Sequence, residues 1–262
     1  MPSAPGWPRF LSAMVLVMVR LSGLMVFAPV FSSEAIPVRV KALFVLAVSI
    51  LIAPAVAGLP LAQARIGVLP VLGELSVGLI FGLCLSLLDE MLLFTGQILG
   101  IQFSFSLVNL LDPNSKVETP LLGQALSLLG TLVLLAAGLH RTLLAALLRS
   151  FAWAPLGGFA MDSHPGVVLP QMAAGIFLAA LQLAAPVLAA TMLVEFAVAM
   201  VGRLSPQLPV MSVAIPLKTI CGYVVLIGSL ALWPRFIEAR FDSLLTAAAE
   251  LVRHSAVQPG LR

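Results

Sequence analysis

Charge is scarce in this chain: 10% of its 262 residues are Asp, Glu, Lys or Arg, against 61% that are hydrophobic. With a mean hydropathy of +1.12, that balance lies outside the range of soluble globular domains and points to an integral membrane protein. The 14 Lys and Arg barely outnumber the 11 Asp and Glu, and no run gathers them, so there is no nucleic-acid signature. Cysteine is nearly missing as well. Cys84 and Cys221 lie in separate apolar runs with no Cys or His beside them, which supplies neither metal-ligand spacing nor a disulfide framework. Of the three histidines, His164 and His254 fall in loop or tail sequence, and His140-Arg141 reads as a pair of interfacial cations at a helix C-terminus. Without a Ser/His/Asp set, a metal cluster or a phosphate-cradling glycine loop, the chain reads as a non-enzyme with no cofactor.

What the sequence does have is long apolar runs: Phe10 to Phe31, Ala42 to Gly58, Val68 to Leu88, Met91 to Leu111, Leu121 to Leu139, Val167 to Val201 and Val210 to Trp233. Their lengths are those of membrane helices, or close to it. The first follows Arg9 as a secretory signal would, yet it contains Arg20 and continues past any small-residue cleavage site, so it reads as a mature helix. The run from Val167 to Val201 exceeds one straight crossing and must tilt, kink or turn back, with Pro186 as the natural break. Only Asp89-Glu90 separates the third and fourth runs. That junction is either a sharp hairpin or the middle of one very long helix, and a solvated hairpin tip is the favoured reading of the two acids. The expected fold is all-α: a single membrane-embedded domain over residues 1–262, built of bent, proline-broken helical hairpins, with short termini 1–9 and 238–262. The second terminus reads as an amphipathic stretch.

Arg20, Glu74, Asp89, Glu90, Glu195 and Lys218 stand in or beside apolar runs. A charge at a bilayer centre costs roughly 2.5–3.5 kcal/mol on insertion scales, so most of these should face protein or water. Glu74, Gly78 and Gly82 share one helix face, where glycines admit a close neighbour and the carboxylate serves as a polar tether. A proton path through Glu74 is the weaker reading, since no second acid stands at helical spacing. Gly96 and Gly100 repeat the spacing. Residues Gly202 to Pro209, with Arg203 and Gln207, are either a connecting turn or a rigid bend that docks a partner helix.

The strongest interruption is Asp112-Pro113, with Phe103 and Phe105 upstream and Lys116, Glu118 and Pro120 downstream. Proline disfavours helix at the residue before it, and non-helical backbone at membrane depth needs protein or a wet cavity around it. Phe103, Phe105, Leu107, Val108, Leu110 and Leu111 are either helix core or an apolar plug that closes a pore by dewetting.

Taken in order, Arg20, Gly23, Pro29, Pro37 and Lys41, then Glu74 with Gly78 and Gly82, then Gly100, Asp112-Pro113 and Pro120, then Gly138, His140, Ser150-Phe151, Pro186, Gly202-Arg203, Pro206-Gln207 and Pro216-Leu217-Lys218, the chain resembles the FliR family of flagellar biosynthesis proteins, which has a counterpart in virulence secretion systems. The resemblance covers all but the termini. It implies a subunit of the type III protein export gate in the bacterial inner membrane, at the flagellar basal body, assembled with FliP-type and FliQ-type proteins, adjoining an FlhB-type protein and passing unfolded flagellar proteins. It also implies a loop across the closed channel, matched here by Gly100 to Val117, with Phe103, Phe105, Leu107, Leu110, Asp112 and Pro113 as plug residues. Arg20, Glu74, Gly78, Gly82, Glu195, Arg203, Gln207 and Lys218 would then be intersubunit or interhelix contacts. The competing reading is a self-sufficient secondary transporter or ion channel that couples through Glu74 and Glu195. Such transporters show paired broken helices in two similar halves, and no convincing internal repeat is present.

Overall fold

The computed structural model describes residues 7–29, 31–32, 36–59, 66–103, 121–159, 165–204 and 210–255. Among them the chain is all-α, without a strand: α1 (Trp7–Phe27), α2 (Val38–Ala57), α3 (Val68–Gln102), α4 (Leu121–Ala136), α5 (Leu139–Trp153), α6 (Pro165–Leu204), α7 (Val210–Ser229), a 3-10 turn (Leu230–Leu232) and α8 (Trp233–Ser255). Five segments are long and apolar enough to cross a membrane, and the bent pair α4 and α5 makes a sixth if it counts as one crossing. At 1.5 Å per residue, the 21-residue α1 is about 32 Å long and matches a hydrocarbon core of roughly 30 Å. The 40-residue α6, at about 60 Å, is twice as long. Leu51, Leu69 and Leu204 are each about 80% exposed, a surface that lipid or other protein must cover.

Three expectations are corrected. The junction at Asp89-Glu90 is no hairpin: α3 runs through it unbroken. Asp89 can form turns, but with no Gly or Pro beside it the strongest helix breakers are missing. Asp89 instead accepts a hydrogen bond from Ser127 Oγ of α4. Second, the run expected to end at Leu139 ends at Ala136, where Gly138 (φ 70°) turns the chain by 69° into a further helix, α5. That positive φ is open to glycine at no steric cost. His140-Arg141 therefore stands in the first turn of α5, not at a helix C-terminus, and the helix dipole does not favour its charge. Third, α6 neither turns back nor breaks at Pro186, which lies inside one continuous helix. Elsewhere prolines bound helices, as Pro37 does before α2 and Pro155 after α5, or sit within them, as Pro54 and Pro216 do. The amphipathic stretch near the C-terminus is α8, which buries Phe241, Leu245, Ala248 and Val252 along one face.

The described residues fall into two compact units. One comprises those within Met1–Leu88, Leu135–Ala173 and Arg240–Arg262. Here α1 packs along α2 and against the glycine face of α3. A Cβ on Gly78 would meet the Arg20 carbonyl oxygen at 2.1 Å, one on Gly82 the Leu24 carbonyl oxygen at 2.8 Å, and one on Gly23 the Leu75 carbonyl oxygen at 2.8 Å. The two backbones thus touch with no side chain between them, the geometry that small residues permit in membrane helix pairs.

The second unit comprises residues within Asp89–Leu134 and Ala174–Ala239. A Cβ on Gly96 would lie 2.2 Å from Gly123 Cα, so α3 and α4 approach as closely as α1 and α3 do. A Cβ on Gly100, the next residue of that spacing, would meet none of the described residues within 4 Å. Phe94 and Phe177 pack with ring centroids 5.2 Å apart, joining α3 to α6.

Candidate functional site

Two constellations hold the polar residues that a membrane protein of this composition must justify. In the first unit, α1 carries Arg20 to the glycine face of α3, where its guanidinium is completely buried. Nε donates to Glu74 Oε2 at 2.6 Å, Nη1 to Ser150 Oγ at 2.9 Å and Nη2 to the Ala154 carbonyl at 2.9 Å. Cζ lies 4.0 Å from the centre of the Phe151 ring, a cation–π contact. Ser150 can accept this bond because its own proton goes to the Leu147 carbonyl, 2.6 Å away. The second carboxylate oxygen of Glu74 accepts the Gly157 backbone N–H at 3.0 Å. Gly157 has φ 74°, so the turn after α5 uses a left-handed glycine to aim that N–H inward.

Each partner follows from its element. Ser150 and Phe151 continue the buried face Leu139, Leu143, Leu147 of α5, whose four-residue steps are helical. Ala154 caps that helix and offers a carbonyl the helix no longer uses. The result is a charge pair in which all three guanidinium nitrogens and both carboxylate oxygens are hydrogen-bonded, and it joins α1, α3 and the end of α5. Both carboxylate oxygens of Glu74 are engaged and its side chain has no exposure to solvent, so the group acts as a fastener between helices.

In the second unit, Lys218 of α7 donates to Glu195 Oε1 of α6. The pair is open: the Glu195 side chain is 53% exposed, among the exposed Met192, Leu193 and Phe196. Phe103, the residue after α3, is buried, its ring stacked on Tyr223 with centroids 4.6 Å apart and planes 19° apart. Gln102 Nε2 donates to Thr191 Oγ1 at 2.7 Å.

Of the other anticipated site residues, Arg203 is exposed in the last turn of α6. Phe105, Leu107, Leu110, Asp112, Pro113 and Gln207 lie outside the described residues. Sequence reasoning placed Arg20 and Glu74 among the contacts without pairing them, and it missed Ala154, Gly157, Thr191 and Tyr223 as partners. Ser150 and Phe151 were visible as part of the ordered motif, and the four-residue apolar spacing of α5 was available to place them on an inner face. No local pattern announces which N–H the Gly157-Gly158 turn would present. Among the described residues no group of three His, Cys, Asp or Glu is placed to hold a metal ion.

The sequence is similar to those of known proteins over most of its length. The profile of the family "Bacterial export proteins, family 1" matches residues 11–244. The flagellar biosynthetic protein FliR of Escherichia coli is 24% identical over 250 residues, covering 94% of this chain and 95% of its own. FliR of Caulobacter vibrioides is 28% identical over 225 residues, covering 82% of this chain and 87% of its own. FliR of Bacillus subtilis is 32% identical over 154 residues, covering 56% of this chain and 59% of its own. With nearly the whole length from α1 into α8 accounted for, the chain belongs to family 1 of the bacterial export proteins, the family of the FliR flagellar biosynthetic proteins.

Proposed function

We propose that this chain is a non-enzymatic subunit of the flagellar type III protein export gate in the bacterial inner membrane. It assembles there with FliP-type, FliQ-type and FlhB-type membrane proteins at the basal body and forms part of the channel for unfolded flagellar proteins. The observation that carries the reading is the family match across residues 11–244. The geometry supports it at Glu195, a half-exposed carboxylate on an apolar helix face. Facing lipid near the bilayer centre, such a group costs roughly 2.5–3.5 kcal/mol, whereas a neighbouring subunit covers it with polar partners. Arg203, exposed at the end of α6, and Lys218 belong to the same class of contact. The sealed Arg20–Glu74 pair suits a rigid subunit better than a proton-coupled carrier, because a coupling carboxylate must meet water during its cycle.

The test is co-expression with the neighbouring membrane-protein genes, extraction in mild detergent and mass measurement of the intact particle. A particle containing two other small membrane proteins is expected. A stable particle of this chain alone would sink the reading in favour of a self-sufficient transporter. Within the same proposal, the segment Gly100 to Val117 closes the channel, with Phe105, Leu107 and Leu110 as its bulky apolar elements and Asp112-Pro113 as its bend; Phe103, expected among them on sequence grounds, is instead buried against Tyr223. Shortening the chain between Phe103 and Val117 is expected to leave the particle assembled and leaky to small ions in liposomes. An assembled, shortened particle that stays tight removes the plug.

A further inference from the structure

Helix α5 has an inner face, which carries Ser150 and Phe151 to Arg20, and an outer face that is exposed. Its 15 residues include no acid, and the outer face presents Arg141, Ala145, Leu148, Arg149 and Trp153. The two arginines are eight residues apart in the sequence, so they stand about 12 Å apart along the helix and about 80° apart around it. With no Asp or Glu in α5, neither can pair with a residue one turn away. Among the described residues neither guanidinium has a hydrogen-bond or ion-pair partner.

The level of this face decides what can cover it. Ser150, the residue after Arg149, accepts a hydrogen bond from Arg20, which stands well inside the 21-residue α1, about 20 Å from its start and about 10 Å from its end. That helix matches the hydrocarbon core, so Arg149 emerges where acyl chains would surround an uncovered side chain. A guanidinium is costly there unless an anion meets it. The apolar part of the face points to protein as the source of that anion. Trp153, 37% exposed, and Leu148, 42% exposed, are interleaved with the arginines. Tryptophan and arginine are enriched at the energetic centres of protein interfaces, where an indole fills a pocket and a guanidinium takes a carboxylate in a two-pronged contact. Phospholipid headgroups would supply negative charge at the bilayer surface, not at the level of Arg20.

We infer that the outer face of α5, centred on Arg141, Arg149 and Trp153, is an interface with a neighbouring membrane protein, which meets it with carboxylates and an apolar seat for the indole. The inference rests on the export-gate reading above for the presence of a neighbour, and it names the chemistry that the neighbour must bring. The inner face of α5 then fastens this chain to itself, and the outer face fastens it to its partner.

The experiment starts from the co-purified particle. Arg141→Lys and Arg149→Lys each place an amine on the outer face, and a membrane-permeant carbodiimide joins an amine to a touching carboxylate as an amide, with loss of one water. Lys218, which meets Glu195 within this chain, is the internal positive control. The expected result is a cross-link from position 141 or 149 to an Asp or Glu of a neighbouring chain, read by peptide mass spectrometry. Arg141→Gln combined with Arg149→Gln is expected to lower the share of this chain recovered in the particle at least about 10-fold, as loss of a close interfacial charge pair does. Arg253→Gln, at an exposed arginine of α8, is expected to leave recovery unchanged. Cross-linking at Lys218 with none at positions 141 and 149 overturns the inference. Normal recovery of the doubly neutralised chain overturns it as well, and a fall in bound phosphatidylglycerol in that case assigns the face to lipid headgroups. If the parent chain forms no particle with a neighbour, the export-gate reading fails and the inference fails with it.

Discussion

Arg20→Ala is expected to cost about 3–5 kcal/mol, enough to prevent accumulation of the assembled particle at growth temperature. The cost does not come from losing an attractive pair, because a buried ion pair roughly repays its own desolvation. It comes from what stays behind. Glu74 would remain fully buried with one backbone N–H for company, and the Ser150 hydroxyl and the Ala154 carbonyl would each lose a donor. Arg20→Lys is not a conservative change here. The guanidinium serves three acceptors from three of its nitrogens in one plane, whereas an ammonium is a point charge on a flexible stem and is expected to restore the Glu74 contact alone. The informative third variant removes both charges: Arg20→Met combined with Glu74→Leu is expected to recover much of what Arg20→Ala loses, because no orphaned ion remains. The measurement is the melting temperature and detergent resistance of the particle, with membrane levels as a second readout. A melting temperature for Arg20→Ala within about 2 °C of the parent would refute the fastener assignment, since even 1 kcal/mol moves a domain of this size by roughly that much.

Gly78→Ala is expected to lose about 1–3 kcal/mol, toward the upper end, although it adds a single methyl and replaces the poorest non-proline helix former with the best. The methyl has nowhere to go. It would meet the Arg20 carbonyl oxygen at 2.1 Å and the Leu24 nitrogen at 2.9 Å, both backbone atoms of α1, which no rotamer change can move aside. Helices α1 and α3 must separate, and separation draws Arg20 out of the geometry it shares with Glu74. The two substitutions are therefore expected to be non-additive. Gly100 supplies the control on the same helix. Among the described residues its Cβ would meet nothing within 4 Å, so Gly100→Ala is expected to be neutral or to stabilise by up to about 1 kcal/mol. Thermal melts of the two single variants decide the matter. Equal losses at the two positions would mean that close approach at Gly78 does not hold the helices together.

The different fates of Gly78 and Gly100 show how far the sequence could be read. Both lie at four-residue spacing from another glycine, and the spacing correctly marks helix faces on which a neighbour can approach. It cannot say whether a neighbour arrives. At Gly78 α1 does, while at Gly100 none of the described residues does. The acids at positions 89 and 90 were harder. A charged pair between two apolar runs reads as the wet tip of a hairpin, and the continuity of α3 becomes intelligible only once Ser127 is seen to meet Asp89. Helix α5 was overlooked because its mean apolarity falls below that of its neighbours, although its buried residues keep four-residue steps. For Phe103, helix core and plug were equally legible, and the Tyr223 ring it stacks on lies some 120 positions away in the chain.

By itself the sequence determined that this is an all-α membrane protein, which stretches of it are apolar enough for membrane helices, and, through the order of its polar and small residues, its family. These properties depend on solvation and on neighbours within a turn or two, which the local pattern carries. Only the tertiary structure decided that Arg20 answers Glu74 from 54 residues away, that Ser150 and the N–H of Gly157 complete that pair, and that Phe103 has a seat on α7. An ion or a ring in an apolar interior takes whichever partner the packed backbones bring within about 3–4 Å, and that distance is set by every helix in the unit at once.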